Sequence, residues 1–499
     1  MALTFRGGIH LDDNKNARKS PIEEFPPPKF VYIPMSQHIG AHAVPLVKVG
    51  DTVDKGQMIA NNENGLSCPI HASVSGKVVS IEKRILSTGA MTDFITIEND
   101  FEQRLHVSVK PFAKKINETT PAEIIEVVKN AGIVGMGGAM FPTYAKIQSA
   151  LDKVTTLIVN CAECEPYITA NHRLMLERPG MIINGMKILL KALGLKVGYI
   201  AIEDNKLNAA DVITKTAAKS KMVEVKILKT KYPQGDERQL IYALTGKELP
   251  SGKLPAEFGC VVFNPETCAA VCNAFITGMP LIERIVTVDG DCVITPKNLT
   301  VPIGALVTEV IEYCGLKKTP HKIVKGGPMM GLAVFEHKNP VTKGTSALLA
   351  FSESRPGKKA SECIRCGKCV SGCQMRLYPS HLALFSQKEN LKMCEKYDVF
   401  SCVECGCCTY ICPANVPIVQ HIRTAKGRIL EKHRREEAIA SALKSDAPTA
   451  PTAYRGRADA ARLRKTDKDR EESEKEAEKA RENENEKESA TENKSDKSE

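Results

Sequence analysis

The chain has 499 residues, 42% of them hydrophobic, enough for several buried cores. Its net charge is +10, with no tryptophan and 5% aromatics. This balance suits an anionic membrane face or acidic protein partners and supplies few base-stacking platforms, so no nucleic-acid partner is expected. No uninterrupted apolar run reaches about 18 residues, which excludes a transmembrane helix by length, and the opening MALTFRGGIHLDD lacks the apolar core of a signal peptide.

Residues 1–110 read as β. Short apolar runs such as Val44–Val49 and Lys77–Ile81 are separated by Gly-Asp and Ser-Gly turns. The stretches VKVGDTVDKGQMIA and IHASVSGKVVSI resemble the barrel-sandwich fold of biotinyl and lipoyl domains. The connecting hairpin NNENGLS, residues 61–67, has no lysine, so the likeness implies the fold and no biotin or lipoate.

Residues 111–280 read as α/β. TPAEIIEVVKNAG predicts a helix with Thr120 as N-cap, Pro121 at its first position and Gly132 at its end. TTLIVN predicts a buried strand, PGMIINGMKILLKALG a helix closed by Gly194, and KVGYIAIED the next strand. Alternation of this kind predicts a mainly parallel sheet covered on both faces.

A glycine-rich segment, Gly132 to Thr143, lies inside this region. Closely spaced glycines let backbone N–H groups approach an anion without Cβ interference, so a phosphate is the natural guest. The segment follows a helix, not a strand, and therefore is not the dinucleotide fingerprint. The strand TLIVN runs into Asn160-Cys-Ala-Glu163-Cys-Glu165-Pro166. Ligands of α/β sheets lie beyond the carboxyl ends of strands, which places Asn160 and Glu163 to bond polar atoms of a bound ring. Lys146 is positioned to balance charge near the phosphate.

Residues 281–350 turn back to short β runs. RIVTVDGDCV and LTVPIGALVTEVIEYCG predict a small sheet with one helix, and the latter resembles the soluble-ligand-binding β-grasp module. Residues 355–435 hold two cysteine runs, Cys363, Cys366, Cys369, Cys373 and Cys402, Cys405, Cys408, Cys412. This spacing is that of bacterial ferredoxins and fits two 4Fe-4S cubanes. Three thiolates of each run serve one cluster and the fourth serves the other. The first set is Cys363, Cys366, Cys369 and Cys412; the second is Cys402, Cys405, Cys408 and Cys373. Zinc also uses Cys-x-x-Cys pairs, but a third and fourth cysteine in each run exceed its needs. Residues 440–499 are highly charged with almost no large apolar side chain, and are expected to be a disordered tail or a lone solvated helix.

The remaining cysteines carry weaker signals. Cys161 and Cys164 have a metal-like gap without a second pair, and are expected to line a cleft without ligating. Cys68, Cys260, Cys268, Cys272, Cys292 and Cys314 are expected to be small buried residues. Cys394 and Cys407 do not fit the ligand spacing. His10, His38, His42 and His71 show no metal-ligand spacing.

The glycine segment, Lys146 and Asn160-x-x-Glu163-x-Glu165-Pro166 together resemble the flavin-binding subunit of respiratory complex I, with its Gly-rich loop and N-x-x-E-x-E-P turn. Tyr232-Pro-Gln-Gly235-Asp236-Glu237 and Asn264-Pro-Glu266-Thr267 are similar to two further turns of that family. The resemblance implies a non-covalent FMN on Gly135, Gly137, Lys146, Asn160, Glu163, Asn264 and Thr267. It implies that Phe141, Tyr232, Asp236 and Glu237 lie on the NADH side. Met140 and Asp236 depart from the family residues.

The domain order, with GGIHLDDNK at the start and KGGPMMGLAV at residues 325–334, resembles the RnfC family of Rnf electron-transport complexes across about residues 1–435. The expected architecture is a multidomain α/β protein. It comprises a barrel-sandwich β domain, a complex I-type flavin domain, a β-grasp module, an α-helical dicluster ferredoxin-like domain and the charged tail. In the first cysteine run Gln374 stands where proline is usual. The likeness implies a peripheral subunit on the cytoplasmic face of the bacterial inner membrane. It implies membrane and ferredoxin-like partner subunits, and electrons exchanged between NAD(H), FMN and clusters. The rival readings are a soluble diaphorase subunit with the same cofactors and a non-enzymatic iron–sulfur scaffold.

Overall fold

The computed structural model describes residues 3–250, 252–335, 338–352 and 359–445, with side chains to residue 441. The chain divides into two compact units, Met1–Ile422 and Arg423–Glu499. In the second, the described residues form a helix; of the expected tail, residues 446–499 lie outside the described residues.

Residues 3–24 are an arm that borrows partners from distant parts of the chain. Leu3 bridges Leu228, Ile9 pairs with Tyr232, and β1 (Ile22–Glu24) adds in parallel to a strand at Asn298–Thr300. The barrel strands come after it: β2 (Phe30–Pro34), β3 (Val44–Pro45), β4 (Thr52–Val53), β5 (Met58–Asn61), β6 (Ile70–His71), β7 (Gly76–Ile85) and β8 (Met91–Asn99). They form sheets of order β2-β8-β7-β4 and β3-β5-β6. Val31, Ile33, Ile59, Val78, Ile95 and Ile97 fill the space between them.

The α/β region opens with α1 (Pro121–Asn130), held by a capping box in which Thr120 and Glu123 satisfy each other's backbone N–H. Next come α2 (Thr143–Ala150), β9 (Thr156–Cys161), α3 (Ala170–Glu177), α4 (Pro179–Ala192), β10 (Gly198–Glu203), α5 (Leu207–Ala217), β11 (Val223–Leu228), α6 (Glu237–Thr245), β12 (Cys260–Phe263) and α7 (Pro265–Thr277). The sheet order is β11-β10-β9-β12, and every pairing is parallel. The chain leaves β9 to one side and returns on the other at β12, so the switch point lies between those two strands. Ligands of open α/β sheets collect at such a point.

The third region contains β13 (Glu283–Asp289), β14 (Lys297–Pro302), α8 (Val307–Tyr313), β15 (Lys322–Lys325), β16 (Leu332–Val334) and β17 (Ala347–Phe351). With β1 they form a sheet of order β1-β14-β13-β17-β15-β16. The cysteine region has only short helices: α9 (Lys368–Ser371), α10 (Pro379–Gln387), α11 (Leu391–Lys396), α12 (Cys407–Tyr410) and the start of α13 (Ile418–Ser445). Among the described residues no helix is long and apolar enough to cross a membrane.

Candidate functional site

The sequence-predicted flavin residues converge on the switch point. Asn160 is the penultimate residue of β9; its side-chain amide donates to the Gly235 carbonyl at 2.8 Å and its side-chain carbonyl accepts from the Ala162 N–H. Asn264 follows β12 and caps α7 by accepting from the Glu266 N–H at 2.9 Å. Thr267, fully buried in the first turn of α7, accepts from the Met136 N–H at 3.1 Å, which pins the glycine loop over that helix end. Gly137 lies against Asn264, while Gly138 and Ala139 are exposed. The start of a 13-residue helix beside an open glycine backbone attracts an anion through its free N–H groups.

Other predicted residues are engaged with the protein. Lys146 pairs with Glu237 at 2.9 Å. Asp236 caps α6 through the Arg238 and Gln239 N–H groups. Phe141 gives its carbonyl to the Gly135 N–H. Glu163 is buried, and one of its oxygens accepts from the Asn171 N–H at 2.8 Å while the other has no partner. Burial pushes its carboxyl above the usual range, and Lys15 and Lys206 oppose the shift. Lys15 arrives from the N-terminal arm. Its ammonium donates to the carbonyls of Glu163 and Glu165, both at 3.0 Å, and of Ile168 at 2.5 Å. Lys206 and Glu203 form a buried pair at 2.6 Å.

Beneath α7, Arg284 grips Glu266 with two parallel bonds of 2.9 and 2.8 Å, and the Ile285 N–H adds a third at 2.9 Å. The pair is 0% and 10% exposed. It fixes the helix start that presents Asn264 and Thr267.

Tyr232, expected on the nicotinamide side, also meets the second cysteine run. It is 2% exposed. Its hydroxyl donates to the Cys405 carbonyl at 2.7 Å, with the Glu165 carboxylate 3.5 Å away. Glu165 accepts from the Met329 and Met330 N–H groups, both at 3.0 Å. Burial raises its carboxyl to about 7 against those two bonds. Only glycine fits at position 327, since a Cβ there would lie 2.3 Å from the Glu165 carboxylate. The Glu165 turn, the β15–β16 loop and the second cysteine run thus form one joint, in which Ile9, Cys164, Tyr232, Met329, Cys405 and Cys407 pack together.

Each cysteine of the second run follows its counterpart by 39 residues, and the backbone repeats at the same interval. Left-handed conformations occur at Arg365 and Glu404, at Gly367 and Gly406, and at Arg376 and Asn415. Helices α9 and α12 repeat likewise, as do the starts of α10 and α13. Cys373, Cys402, Cys405, Cys407 and Cys408 line one hollow, with Met375, Leu377, Val403 and Ile422 among its apolar walls. Among the described residues no three His, Cys, Asp or Glu side chains gather closely enough for a single ion. Soft thiol donors around an apolar void, four of them at the ferredoxin spacing, fit a multi-iron cluster. Cys369 is buried, Cys412 half-buried, and Cys363 and Cys366 exposed. Cys161 closes β9 and Cys164 lies in the turn after it, where its sulfur accepts from the Gly235 N–H at 3.3 Å.

Sequence reasoning missed the Lys15 latch, the grip of Met329 and Met330 on Glu165, and the Arg284–Glu266 pair. The lysine of GGIHLDDNK and the loop of KGGPMMGLAV lie in segments the sequence had marked without giving their residues a role.

A parallel α/β domain with an anion-attracting helix start, joined to a duplicated cysteine region, has the build of an oxidoreductase subunit. Residues 128–273 match the Nuo51 FMN-binding domain, residues 3–102 the RnfC barrel sandwich hybrid domain and residues 285–333 the SLBB domain. The chain is 42% identical over 436 residues to the C subunit of the Na(+)-translocating ferredoxin:NAD(+) oxidoreductase complex of Acetobacterium woodii, covering 87% of this chain and 98% of that one. It is 43% identical to the proton-translocating counterpart of Clostridium ljungdahlii, covering 88% and 96%. To the C subunit of the ion-translocating oxidoreductase complex of Rhodobacter capsulatus it is 39% identical, covering 87% and 85%. The chain belongs to this RnfC family.

Proposed function

We propose that the chain is the NAD(H)-linked peripheral subunit of a membrane-bound, ion-translocating electron-transport complex. It would hold FMN non-covalently through Gly135, Gly137, Lys146, Asn160, Glu163, Asn264 and Thr267. One 4Fe-4S cluster would sit on Cys363, Cys366, Cys369 and Cys412, and a second on Cys402, Cys405, Cys408 and Cys373. Bound flavin would split the electron pair of one hydride into single electrons and clusters carry single electrons, which is why the two cofactor types belong together.

The observation that carries this reading is the Tyr232 bond to Cys405, which ties the turn beside the flavin residues to the ring of four thiols. The helix start at Asn264 and the open glycine backbone suit the flavin phosphate. Asn160 and Glu163 supply the polar contacts for its ring. Phe141, Asp236 and Glu237 remain the nicotinamide-side residues, and Tyr232 holds the second cysteine run against this region. Ion passage and membrane anchoring fall to other subunits, a ferredoxin-like subunit among the partners, at the cytoplasmic face of the inner membrane. The net charge of +10 suits such a surface. The relatives above are named for different ions, so the choice of sodium or proton does not follow from likeness to them.

Anaerobic purification should yield about eight iron atoms and one FMN per chain, as the motif count requires. Cys366→Ala should abolish onward transfer while leaving NADH-driven bleaching of the flavin intact. Loss of bleaching in a folded Cys366→Ala variant would refute this division of roles.

A further inference from the structure

The two cysteine runs match in their thiols but not in the residue that follows the last one. Gln374 follows Cys373; at the interval of 39 its counterpart is Pro413, which follows Cys412. Pro413 is exposed, whereas Gln374 is 7% exposed and lines the same hollow as Cys373, Cys402, Cys405 and Cys408. The N-terminal arm and the flavin domain both hold it there. Gly7 packs on its backbone, where a Cβ would stand 3.0 Å from the Gln374 Cα, and Gln239 of α6 donates to the neighbouring Met375 sulfur at 3.5 Å.

The amide of Gln374 is half satisfied. Its Oε1 accepts from the Cys405 thiol at 3.5 Å, while its Nε2 is buried with no hydrogen-bond partner. A cluster ligand is a thiolate and has no proton to donate. Against a thiolate the carbonyl oxygen faces negative charge, whereas the amide turned over presents an N–H. The last torsion of glutamine is broad and two-fold, so this exchange needs no repacking. One movement removes both the orphaned donor and the repulsion.

Resting on the cluster assignment proposed above, we propose that in the loaded protein Gln374 donates its side-chain N–H to the Cys405 sulfur and thereby raises the reduction potential of the second cluster alone. Reduction brings in one electron, from the flavin or from dithionite in the test below, and no covalent bond changes. The added negative charge spreads onto the thiolates. The positive end of the N–H dipole stabilises it, more strongly among buried apolar walls than in water. Proline at 413 has neither a side-chain donor nor a backbone N–H, so the first cluster has no equivalent bond. Two clusters of one build thus differ in their hold on an electron, and Gln374 favours the one on the Tyr232 side.

The full chain, purified anaerobically, is titrated with dithionite, and reduction of each cluster is followed by low-temperature electron paramagnetic resonance. In Cys366→Ala only the second cluster keeps all four thiolates, which assigns its signal. With both runs intact, Gln374→Met keeps the side chain's length but has no donor. It should lower the potential of the second cluster and leave the first, with iron content unchanged. Gln374→Glu should lower it further, since a carboxylate adds negative charge. Gln374→Pro, which copies position 413, should match Gln374→Met and carries the test if the methionine variant loses iron. An unchanged potential in an iron-replete Gln374→Met or Gln374→Pro overturns the proposal. So does an equal fall in both clusters, which marks altered solvent access, and so does loss of iron from both variants, which makes Gln374 a structural support. A wild-type chain without iron or cluster signals refutes the cluster reading itself; signals whose potentials ignore position 374 refute the role of Gln374 and leave that reading standing.

Discussion

Removing Arg284 tests how the fold holds the flavin site. Arg284→Met deletes both parallel bonds to Glu266 while keeping a side chain of similar length. Glu266 retains the Ile285 N–H but becomes an uncompensated buried carboxylate. Breaking one side of a buried pair costs about 3–5 kcal/mol, most of it the desolvation of the abandoned charge. Adding Glu266→Gln removes that charge while the amide oxygen still accepts from Ile285, so the double variant should recover roughly half of the loss. Because the protein has several domains, one global transition cannot be assumed. Release of bound flavin, followed by its fluorescence during guanidinium denaturation, reports locally, since Asn264 and Thr267 flank Glu266 on the same helix start. Arg284→Met should release flavin at markedly lower denaturant, and the cycle should show a coupling above about 1 kcal/mol. A single variant within about 1 kcal/mol of the parent, or a double variant no better than the single, would refute the reasoning.

Tyr232→Phe should leave hydride uptake by the flavin unchanged, slow transfer to an external acceptor and cost about 1–2 kcal/mol, because the Cys405 carbonyl loses a buried donor. Rapid mixing with NADH separates the two steps; slower flavin reduction with unchanged onward transfer would return Tyr232 to the nicotinamide side. Acid should loosen the barrel. Burial, assisted by the charge of Lys343, lowers His71 to about 3 and His38 to about 4. The fold favours both imidazoles neutral, so the unfolded chain binds more protons below pH 6.5, and stability falls as pH drops from about 6.5 toward 4 by roughly 2–3 kcal/mol per histidine. Hydrogen exchange in residues 30–99 should speed up over that window and should do so less in His71→Asn; a flat response counts against the assignment.

What was legible in the sequence was local. The Thr120 cap, the Gly194 stop and the strands around TLIVN and GYIAI follow from nearest neighbours and apolar patterning, and they form as expected. The cysteine interval is a covalent spacing, so it could be read directly. What escaped depends on partners far along the chain. Lys15 meets the Glu163 carbonyl 148 residues away, and β1 is three residues long with two glutamates, finding its register only on β14. Val44–Val49 reads as a strand, yet only Val44 and Pro45 pair, and Leu46 and Val49 face solvent. Tyr232 lies in a recognisable turn, but the turn does not say which way its ring points.

The threading of the N-terminal arm bears on how the protein is made. Phe5 finds Lys231 beneath its ring, Ile9 needs Tyr232 and Cys407, and Gly8 donates to the Gly372 carbonyl. The arm therefore settles only once the second cysteine run has been synthesised. A chain lacking the second cysteine run would leave Ile9 without one of its apolar neighbours, so the seating of the arm reports on the completeness of that run.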